Sequence, residues 1–195
     1  MQRVSWKKFI ENTKGKPPRP LLKRAVKRVG QKKCALDLGA GALNDSKYLL
    51  AQKFKRVVAV DFDPEALKQA KKIRSKKFVF FQCRYEKFPF KKEGPYDLIN
   101  ASLTLGFNPP KVFNQVFPRI CTSLAPGGIF VGQLFGNRHG WNTPGKEMTF
   151  HSERAARALF RNMEVLTFTE TEEEKKSSVL HVMTNFHFFH FIVRK

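Results

Sequence analysis

Two aspartates that each end an apolar run are the residues whose types and spacing first indicate chemistry. The run Cys34–Leu38 carries Asp37 and opens into the turn Gly39-Ala40-Gly41, and a second run, Val57–Asp61, ends in an acid. Apolar runs of this length predict strands buried on both faces of a parallel sheet. Glycines at the end of such a strand let the backbone approach a ligand that a Cβ would exclude. The pattern therefore predicts a nucleotide-type site beyond the carboxyl ends of two parallel strands.

The details of the glycine turn argue against a dinucleotide. A dinucleotide turn needs a third glycine where this chain has Asn44, and Asp37 stands two residues before the first glycine. A carboxylate there repels a diphosphate but attracts an ammonium or a sulfonium, and Asp61 can accept hydrogen bonds from both ribose hydroxyls. These residues favour S-adenosylmethionine as the ligand, with S-adenosylhomocysteine as the product.

Four ordered segments resemble the motifs of class I S-adenosylmethionine-dependent methyltransferases. They are Asp37–Gly41, Asp61 after the second strand, Tyr96–Ser102 on a fourth strand and Leu124–Gly128 before a fifth. Their order and spacing carry the resemblance, because a lone Gly-x-Gly is common. The resemblance implies a methyltransferase that uses S-adenosylmethionine.

A closer resemblance, to small single-domain bacterial tellurite-resistance-like methyltransferases, covers nearly the whole chain. It rests on Lys16–Pro20, Glu86–Phe90, Leu98–Ser102, Gly132–Gly136 with Trp141, Met148–His151 and Phe188–Lys195. The chain departs from that group before its last strand, where Thr184-Asn185-Phe186-His187 replaces the usual Lys-His-Trp-His. This departure bears on the part of the motif that would touch the acceptor.

The resemblance assigns cofactor contacts to nine residues. Asp37 would order groups near the methionine ammonium, Gly39, Ala40 and Gly41 would admit the ligand, and Asp61 would bind the ribose. Phe62 would lie on the adenine face or in the core, and Tyr85 and Glu86 would contact adenine or belong to a surface loop. Asn100, at the end of the fourth strand, would face the methionine end and the acceptor. Arg84 stands where relatives commonly carry an acid or an amide.

Acceptor contacts and a catalytic base are less constrained. Phe107 and Trp141 would wall the acceptor or pack a lid, and His187 would contact substrate or be structural. Methyl transfer from a sulfonium is an in-line displacement with an activated leaving group, so no base is compulsory and the catalytic residue stays unassigned. If the acceptor needs a base, the candidates are His139, His151, His187 and His190.

Alternating apolar runs and helical patterns predict a doubly wound, Rossmann-like α/β fold in a single domain, 1–195. Strands are predicted over 33–38, 56–61, 78–82, 97–101 and 129–134, and helices over 21–29, 42–52, 64–74, 112–124 and 149–160. Two last strands, 164–171 and 186–193, are joined by an acidic, flexible loop and must pair antiparallel because no crossover helix separates them. The expected sheet has seven strands, mostly parallel with the last antiparallel.

Prolines and capping residues set the expected element ends. Pro17, Pro18 and Pro20 exclude a helix before Leu21, so residues 1–20 form a lead-in or a lid over the cofactor that would include Trp6, Phe9 and Arg19. The predicted helix caps are Asn44, Asp45 or Ser46 for the second helix, Asp63 for the third and Ser152 for the last. Residues 87–95 are predicted to form a loop.

The charge is large and unevenly distributed. The net charge is +21, and residues 1–92 hold 26 basic and 7 acidic residues against 11 and 9 in the remainder. Such a surface attracts polyanions, although a general lysine bias on solvated helix faces gives the same composition. No apolar run reaches the length of a bilayer span. The isolated Cys34, Cys83 and Cys121 have no metal-ligand spacing and indicate core thiols in a cytoplasmic protein.

Three functions are compatible with these residues. The first is methyl transfer to a small-molecule acceptor, favoured by the compact domain. The second is an RNA or protein methyltransferase that docks its substrate on the basic N-terminal half. The third is a cofactor-binding protein without turnover. No metal is expected, and the sequence leaves the oligomeric state open.

Overall fold

One twisted sheet forms the centre of the computed structural model, which describes residues 5–177 and 182–195. Residues 1–4 of the lead-in and 178–181 of the predicted hairpin loop lie outside the described residues. The strands are β1 Cys34–Leu38, β2 Arg56–Asp61, β3 Phe78–Gln82, β4 Tyr96–Ala101, β5 Leu124–Gly136, β6 Phe150–His151, β7 Glu164–Lys176 and β8 Met183–Arg194.

The strand order confirms the predicted topology. The order is β3-β2-β1-β4-β5-β8-β7, with β1 to β5 parallel and β8 antiparallel to both of its neighbours. The two-residue strand β6 adds a short parallel pairing at the end of β5, which the sequence did not predict. The chain runs outward in both directions from the β1/β4 pair, and in such sheets the crevice beyond that pair is where ligands bind.

Helices cover both faces of the sheet. They are α1 Trp6–Thr13, α2 Pro20–Val26, α3 Asn44–Ala51, α4 Pro64–Ala70, α5 Phe90–Glu93, α6 Pro110–Ser123 and α7 Glu153–Ala158, with 3₁₀ turns at Tyr85–Lys87 and Leu105–Phe107. Within the described residues, no helix is long and apolar enough to span a membrane.

Alternate side chains of the central strands divide the interior into two main cores. Leu36 and Val58 join the core beneath α6 and α7, while their neighbours Ala35 and Val57 join the core beneath α2 and α3. This alternation follows from the period of two along a strand. It explains why the runs are continuously apolar: both faces of these strands are buried.

The lead-in differs from its prediction. The expectation of no helix before Leu21 was wrong, because α1 spans Trp6–Thr13 and α2 begins at Pro20. Helix α1 ends four residues before Pro17, beyond the reach of the proline's steric effect. At the first position of α2, the missing proline N–H costs nothing because that donor has no partner inside a helix.

Helix caps agree with the sequence in two of three cases. Asp63 accepts from the backbone N–H of Glu65, and Ser152 accepts from that of Ala155. The caps predicted for α3 were wrong: Leu43, with a φ of 63°, is its N-cap, and the three predicted residues lie inside the helix. Their side chains are free to bond elsewhere.

Three segments that were assigned to loops or helices contain other elements. Helix α7 starts after Ser152, because residues 150–151 pair with β5 instead of extending the helix. A short helix, α5, lies within the predicted loop 87–95. The assignment of 172–176 to a flexible loop was also wrong, since β7 continues to Lys176 opposite Met183 of β8. Pairing with β8 along the whole segment overrides the weak strand propensity of these charged edge residues.

Phe191 provides a test of the core. It is fully buried and its ring lies 4.6 Å from that of Phe160 and 4.8 Å from that of Phe130. We expect Phe191→Ala to lower the free energy of unfolding by about 3–5 kcal/mol, because the cavity it leaves cannot collapse fully. Urea denaturation followed by circular dichroism measures this loss.

The control for Phe191→Ala is the same change at Phe62, which is 40% exposed. Phe62→Ala should cost less than Phe191→Ala, since part of the Phe62 side chain is already in contact with solvent and its removal leaves no enclosed cavity. Equal losses in the two variants would contradict the packing described for β8.

Candidate active site

The turn after β1 is held close to neighbouring side chains. Its first two amides, those of Gly39 and Ala40, donate to the carbonyl of Val60 at 2.9 and 3.2 Å. Gly39 has a φ of +68°, and a Cβ there would overlap Thr104 Oγ1 and lie 2.7 Å from Tyr85 Oη. Only glycine fits this position.

Gly41 is constrained differently. It has a φ of +50°, but the nearest heavy atom to a Cβ there is 3.9 Å away. Its backbone conformation, and not a lack of space, is what favours glycine. The turn therefore combines one position without room for a side chain and one with an unusual backbone conformation.

Asp37 is a buried carboxylate held by side chains from two other elements. Ser46 Oγ of α3 donates to it at 2.5 Å, and Asn100 Nδ2 of β4 donates at 2.8 Å. Asn100 Nδ2 also lies 3.2 Å from Asp45 Oδ2. Burial, reinforced by the negative charge of Asp45, raises the pKa of Asp37 to about 7. The site therefore holds two carboxylates that a positively charged ligand would stabilise.

Asp61 ends β2 and orders the backbone around it. One carboxylate oxygen accepts from the Gly41 N–H and the other from the Asp63 N–H, both at 2.9 Å. Burial raises the pKa of Asp61, while these hydrogen bonds oppose the rise. Each carboxylate oxygen has a second lone pair, so the group can still accept from a ligand.

The residues after β2 and β3 form the neighbouring wall. Tyr85 Oη hydrogen-bonds Thr104 Oγ1, and its burial raises the pKa of the phenol above its usual value. The Arg84 guanidinium lies 5.2 Å from the centre of the Phe62 ring. Glu86 is half-buried on the same wall. This wall carries charged and aromatic groups side by side.

Two adjoining cavities lie over the carboxyl ends of the strands. The larger, of about 470 Å³, is lined by Asp61, Phe62, Arg84, Tyr85 and Glu86 at the β2/β3 side. The smaller, of about 280 Å³, is lined by residues that include Asp37, Ala40 and Asn100, and both cavities share Gly39 and Gly41. All nine residues predicted to contact the cofactor therefore line one or the other cavity.

At its other end the larger cavity is lined by an aromatic chamber. We use this name for Trp6, Phe107, Phe135, Trp141, Phe186 and Phe188. Consecutive rings are in contact: Trp6 lies 4.9 Å from Phe107, which lies 5.0 Å from Phe135. Phe107 and Trp141 thus line the cavity, as predicted for acceptor contacts.

The structure does not bring His187 to either cavity. Its ring is buried on the face of β8 opposite Phe186 and Phe188. Nδ1 accepts from the Arg138 N–H at 3.0 Å, and Nε2 lies 2.7 Å from Glu170 Oε1. His187 therefore joins the loop after β5 to the terminal hairpin.

The cluster around His187 also has the spacing of a metal site. Ligand atoms of Glu170, Glu172 and His187 lie within 4.8 Å of one another. Arg138, however, pairs with both carboxylates, at 2.8 Å to Glu172. The cluster is explained as an ion-pair network.

The candidate bases lie outside the cavities. None of His139, His151, His187 and His190 is among the lining residues. His139 Nδ1 accepts from the Trp141 N–H at 3.1 Å, and burial lowers the pKa of His139 to about 4. His139 is therefore neutral near pH 7 and supports the chamber from behind.

Several residues of the site were missed in the sequence. Asp45 and Ser46 were read as helix caps, and Thr104 was not singled out. Phe186 and Phe188 alternate with His187 on β8. This period of two places the phenylalanines and the histidine on opposite sides of the strand, but it does not indicate which side lines the cavity. Phe135 gave no signal beyond its place in a buried strand.

Comparisons with known proteins agree with this geometry. Residues 35–128 match a family model described as a methyltransferase domain. No curated protein matches the sequence. Among solved structures, TehB from Haemophilus influenzae is similar, with a TM-score of 0.74 and 16% identity over 89% of this chain and 61% of that one.

Two further structures extend the comparison. A Burkholderia thailandensis 1,6-didemethyltoxoflavin-N1-methyltransferase, solved with S-adenosylhomocysteine, has a TM-score of 0.64 and 19% identity over 90% of this chain and 78% of that one. A second structure is a chain from the complex between the Haloferax volcanii Trm112 methyltransferase activator and the putative methyltransferase. Its TM-score is 0.72, with 16% identity over 97% of this chain and 93% of that one. At these identities the likeness concerns the fold.

The domain match covers the glycine turn, Asp61 and the end of β4, which are the residues around the cavities. The strands that follow the matched residues, including the antiparallel β8, are arranged as in the methyltransferase structures. Residues 35–128 thus match a methyltransferase domain, and the chain has the fold of the S-adenosylmethionine-dependent methyltransferases.

Proposed function

We propose that this methyltransferase acts on a small-molecule acceptor. The observation that carries the proposal is the division of one cavity into a polar end beside β2 and β3 and an aromatic end beside β5 and β8. A cavity of about 470 Å³ is in the range of small-molecule sites. The cofactor would fill the polar end, and the acceptor would enter the aromatic chamber.

The chain's own residues fit the cofactor. Asp37 and Asp45 supply negative charge for the methionine ammonium, Asp61 supplies free lone pairs for the ribose, and Gly39 leaves space that a Cβ would fill. Tyr85 and Glu86 would border the adenine, with Phe62 beside it. The bound cofactor supplies a methyl group on an activated sulfonium leaving group.

Catalysis in this site would rest on alignment and the exclusion of water. The described residues that line the cavity include no histidine, and burial raises the pKa of the Tyr85 phenol further above neutrality. The aromatic chamber offers a low-polarity wall that would hold an acceptor against the cofactor. An acceptor whose lone pair is free near pH 7 needs no protein base.

The N-terminal segment has the contacts of a lid. Ile10 of α1 is 2% exposed and packs with Ala40 and Leu43 around the glycine turn. Asn44 Nδ2 donates to the Thr13 carbonyl at 2.8 Å, and the Arg19 N–H donates to Asp45 at 3.0 Å. Trp6 reaches the aromatic chamber, so ordering of this segment would enclose both ligands.

The second candidate is an RNA or protein methyltransferase. It is favoured by charge alone, since residues 1–92 hold 26 basic and 7 acidic residues. A polyanion bound to this surface releases counterions, so its affinity falls steeply with salt. A neutral small acceptor shows no such dependence.

Transfer of labelled methyl groups separates the two candidates. The purified chain is incubated with methyl-labelled S-adenosylmethionine and a bacterial lysate at about 50 and 200 mM salt, and label is measured in small molecules, RNA and protein. We expect label in the small-molecule fraction at both salt concentrations. Label in RNA or protein that disappears at the higher concentration would contradict the proposal, as would cofactor binding without any transfer.

Asp61 provides a test of the cofactor end. We expect Asp61→Asn to weaken S-adenosylhomocysteine binding about 10- to 100-fold, because a charge-assisted acceptor contributes about 1.5–3 kcal/mol. Isothermal titration calorimetry measures the affinity.

The matched control for Asp61 is Asp97→Asn. Asp97 also accepts from two backbone N–H groups, those of Lys33 and Cys34, but at the opposite end of the sheet. This change should leave the affinity within about twofold. A similar loss in both variants would show that Asp61 acts only through the fold.

The raised pKa of Asp37 predicts a pH dependence of binding. Because this pKa is about 7 in the free protein, the carboxyl is mostly protonated below pH 7 and must lose its proton to meet an ammonium. We expect the affinity for S-adenosylhomocysteine to fall by up to tenfold per unit from pH 7 to 5.5.

Methylthioadenosine, which lacks the amino-acid end, controls for the titration of Asp61. The ratio of the two affinities should follow pH in the natural chain and become flat in Asp37→Asn. A flat ratio in the natural chain would mean that Asp37 does not face the ammonium.

A further inference from the structure

The aromatic chamber carries no charged residue of its own. The charged residues that line the larger cavity are Arg19, Asp61, Arg84 and Glu86 within the described chain. Asp61 ends β2, Arg84 and Glu86 follow β3, and Arg19 lies in the lead-in. To the lining of the cavity, the elements that carry the chamber rings contribute only apolar side chains and small polar groups among the described residues. The chamber therefore lacks a carboxylate to pair with a cationic acceptor.

Two lysines already lie over rings of the chamber. Lys146 Nζ is 5.9 Å from the centre of the Trp141 ring, and Lys175 Nζ is 5.5 Å from that of Phe186. Aromatic cages that bind cations offer their negative ring faces to the ligand. Here two of those rings already face protein ammonium groups, of which Lys175 is paired with Glu173 at 2.7 Å. A cationic ligand would therefore compete with a lysine for the negative potential of either ring.

The arrangement of the rings favours a flat ligand. Trp141 lies 5.8 Å from Phe107 in a tilted geometry and 5.8 Å from Phe186 edge to face. Phe186 and Phe188, on the same face of β8, are stacked at 5.8 Å with 28° between their planes. Planar rings add edge-to-face and offset contacts with such walls, which a saturated ring of the same volume cannot make.

We propose that the acceptor is a planar aromatic or heteroaromatic molecule without a positive charge, bound in the aromatic chamber. The inference rests on the proposed small-molecule function and names the substrate class of the same site. Transfer to a ring nitrogen would form an N–C bond with the nitrogen lone pair, while the C–S bonding pair returns to sulfur. The positive charge passes to the product, so no proton has to leave and no base is required.

The charge distribution also fits release of the product. A methylated ring nitrogen is cationic, and the described residues that line the chamber offer it no carboxylate. The neutral acceptor should therefore bind more tightly than its methylated form. This difference provides a matched pair of probes.

Calorimetric titration of the full chain, saturated with S-adenosylhomocysteine at pH 7.5, tests the proposal with three probes. Quinoline is planar and neutral, N-methylquinolinium is planar and cationic, and decahydro-2-naphthol is neutral but not planar. We expect quinoline to bind at least tenfold more tightly than either of the others. Equal or tighter binding of either one, or no binding of quinoline, would overturn the proposal.

A pair of variants locates the binding. Phe186→Leu removes a chamber ring while keeping an apolar side chain, and should weaken quinoline binding at least fivefold. Phe168→Leu is the same change at a ring that stacks on Phe189 and does not line the cavity, and should have no effect. Unchanged affinity in Phe186→Leu would place quinoline elsewhere and overturn the assignment.

Failure of cofactor binding and failure of the acceptor class give different results in these titrations. Absence of S-adenosylhomocysteine binding in a first titration would contradict the cofactor assignment, whatever quinoline does. Quinoline titrated without S-adenosylhomocysteine still tests the chamber. Normal cofactor binding with a preference for N-methylquinolinium would leave the methyltransferase site intact and reject only the acceptor class.

Discussion

The buried carboxylate of Asp37 is the group on which the arrangement of the site depends. A buried charge is costly unless hydrogen bonds satisfy it, and Ser46 of α3 and Asn100 of β4 supply those bonds. Ser102 in turn donates to Asn100 Oδ1 at 2.7 Å. The start of α3 and the ends of β1 and β4 are thereby tied together. Since α1 and the lead-in attach to this same region through Asn44 and Asp45, the same network holds the N-terminal segment in place.

The topology of the sheet separates two kinds of chemistry along one edge. Strands β1 and β2 end in carboxylates and glycines because their carboxyl ends open into the crevice at the switch in strand order. Strands β5 and β8 instead contribute phenylalanines to the same edge. A ligand that spans the cavity would therefore pass from a polar to an aromatic environment without leaving the protein.

The terminal hairpin has a structural role that follows from its length. Strands β7 and β8 continue past the point where β5 ends, and the network of Arg138, Glu170, Glu172 and His187 joins them to the loop after β5. That loop carries His139 and Trp141. The hairpin thus fixes the chamber walls from the side opposite the cavity, and the acids of β7 are used as partners of Arg138 and Asn185.

The sequence by itself determined the fold class, and it also identified residues that line the two cavities. Asp37, Gly39, Gly41 and Asp61 are recognisable because each stands at the end of a continuous buried strand, and parallel strands bring such ends together. It did not determine α1 or the length of β7, since their stability comes from packing and pairing with distant residues.

Only the tertiary structure decided the aromatic chamber, where the acceptor is proposed to bind. The six chamber residues come from α1, the turn before α6, β5, the loop after it and β8, and no local pattern links them. The registers of β8 with β5 and β7 turned Phe186 and Phe188 toward the cavity and His187 away from it. A strand places successive side chains on opposite faces, so the sequence could predict which residues of β8 share a face. Which of the two faces meets the cavity depended on the strands and loops that pack beside β8.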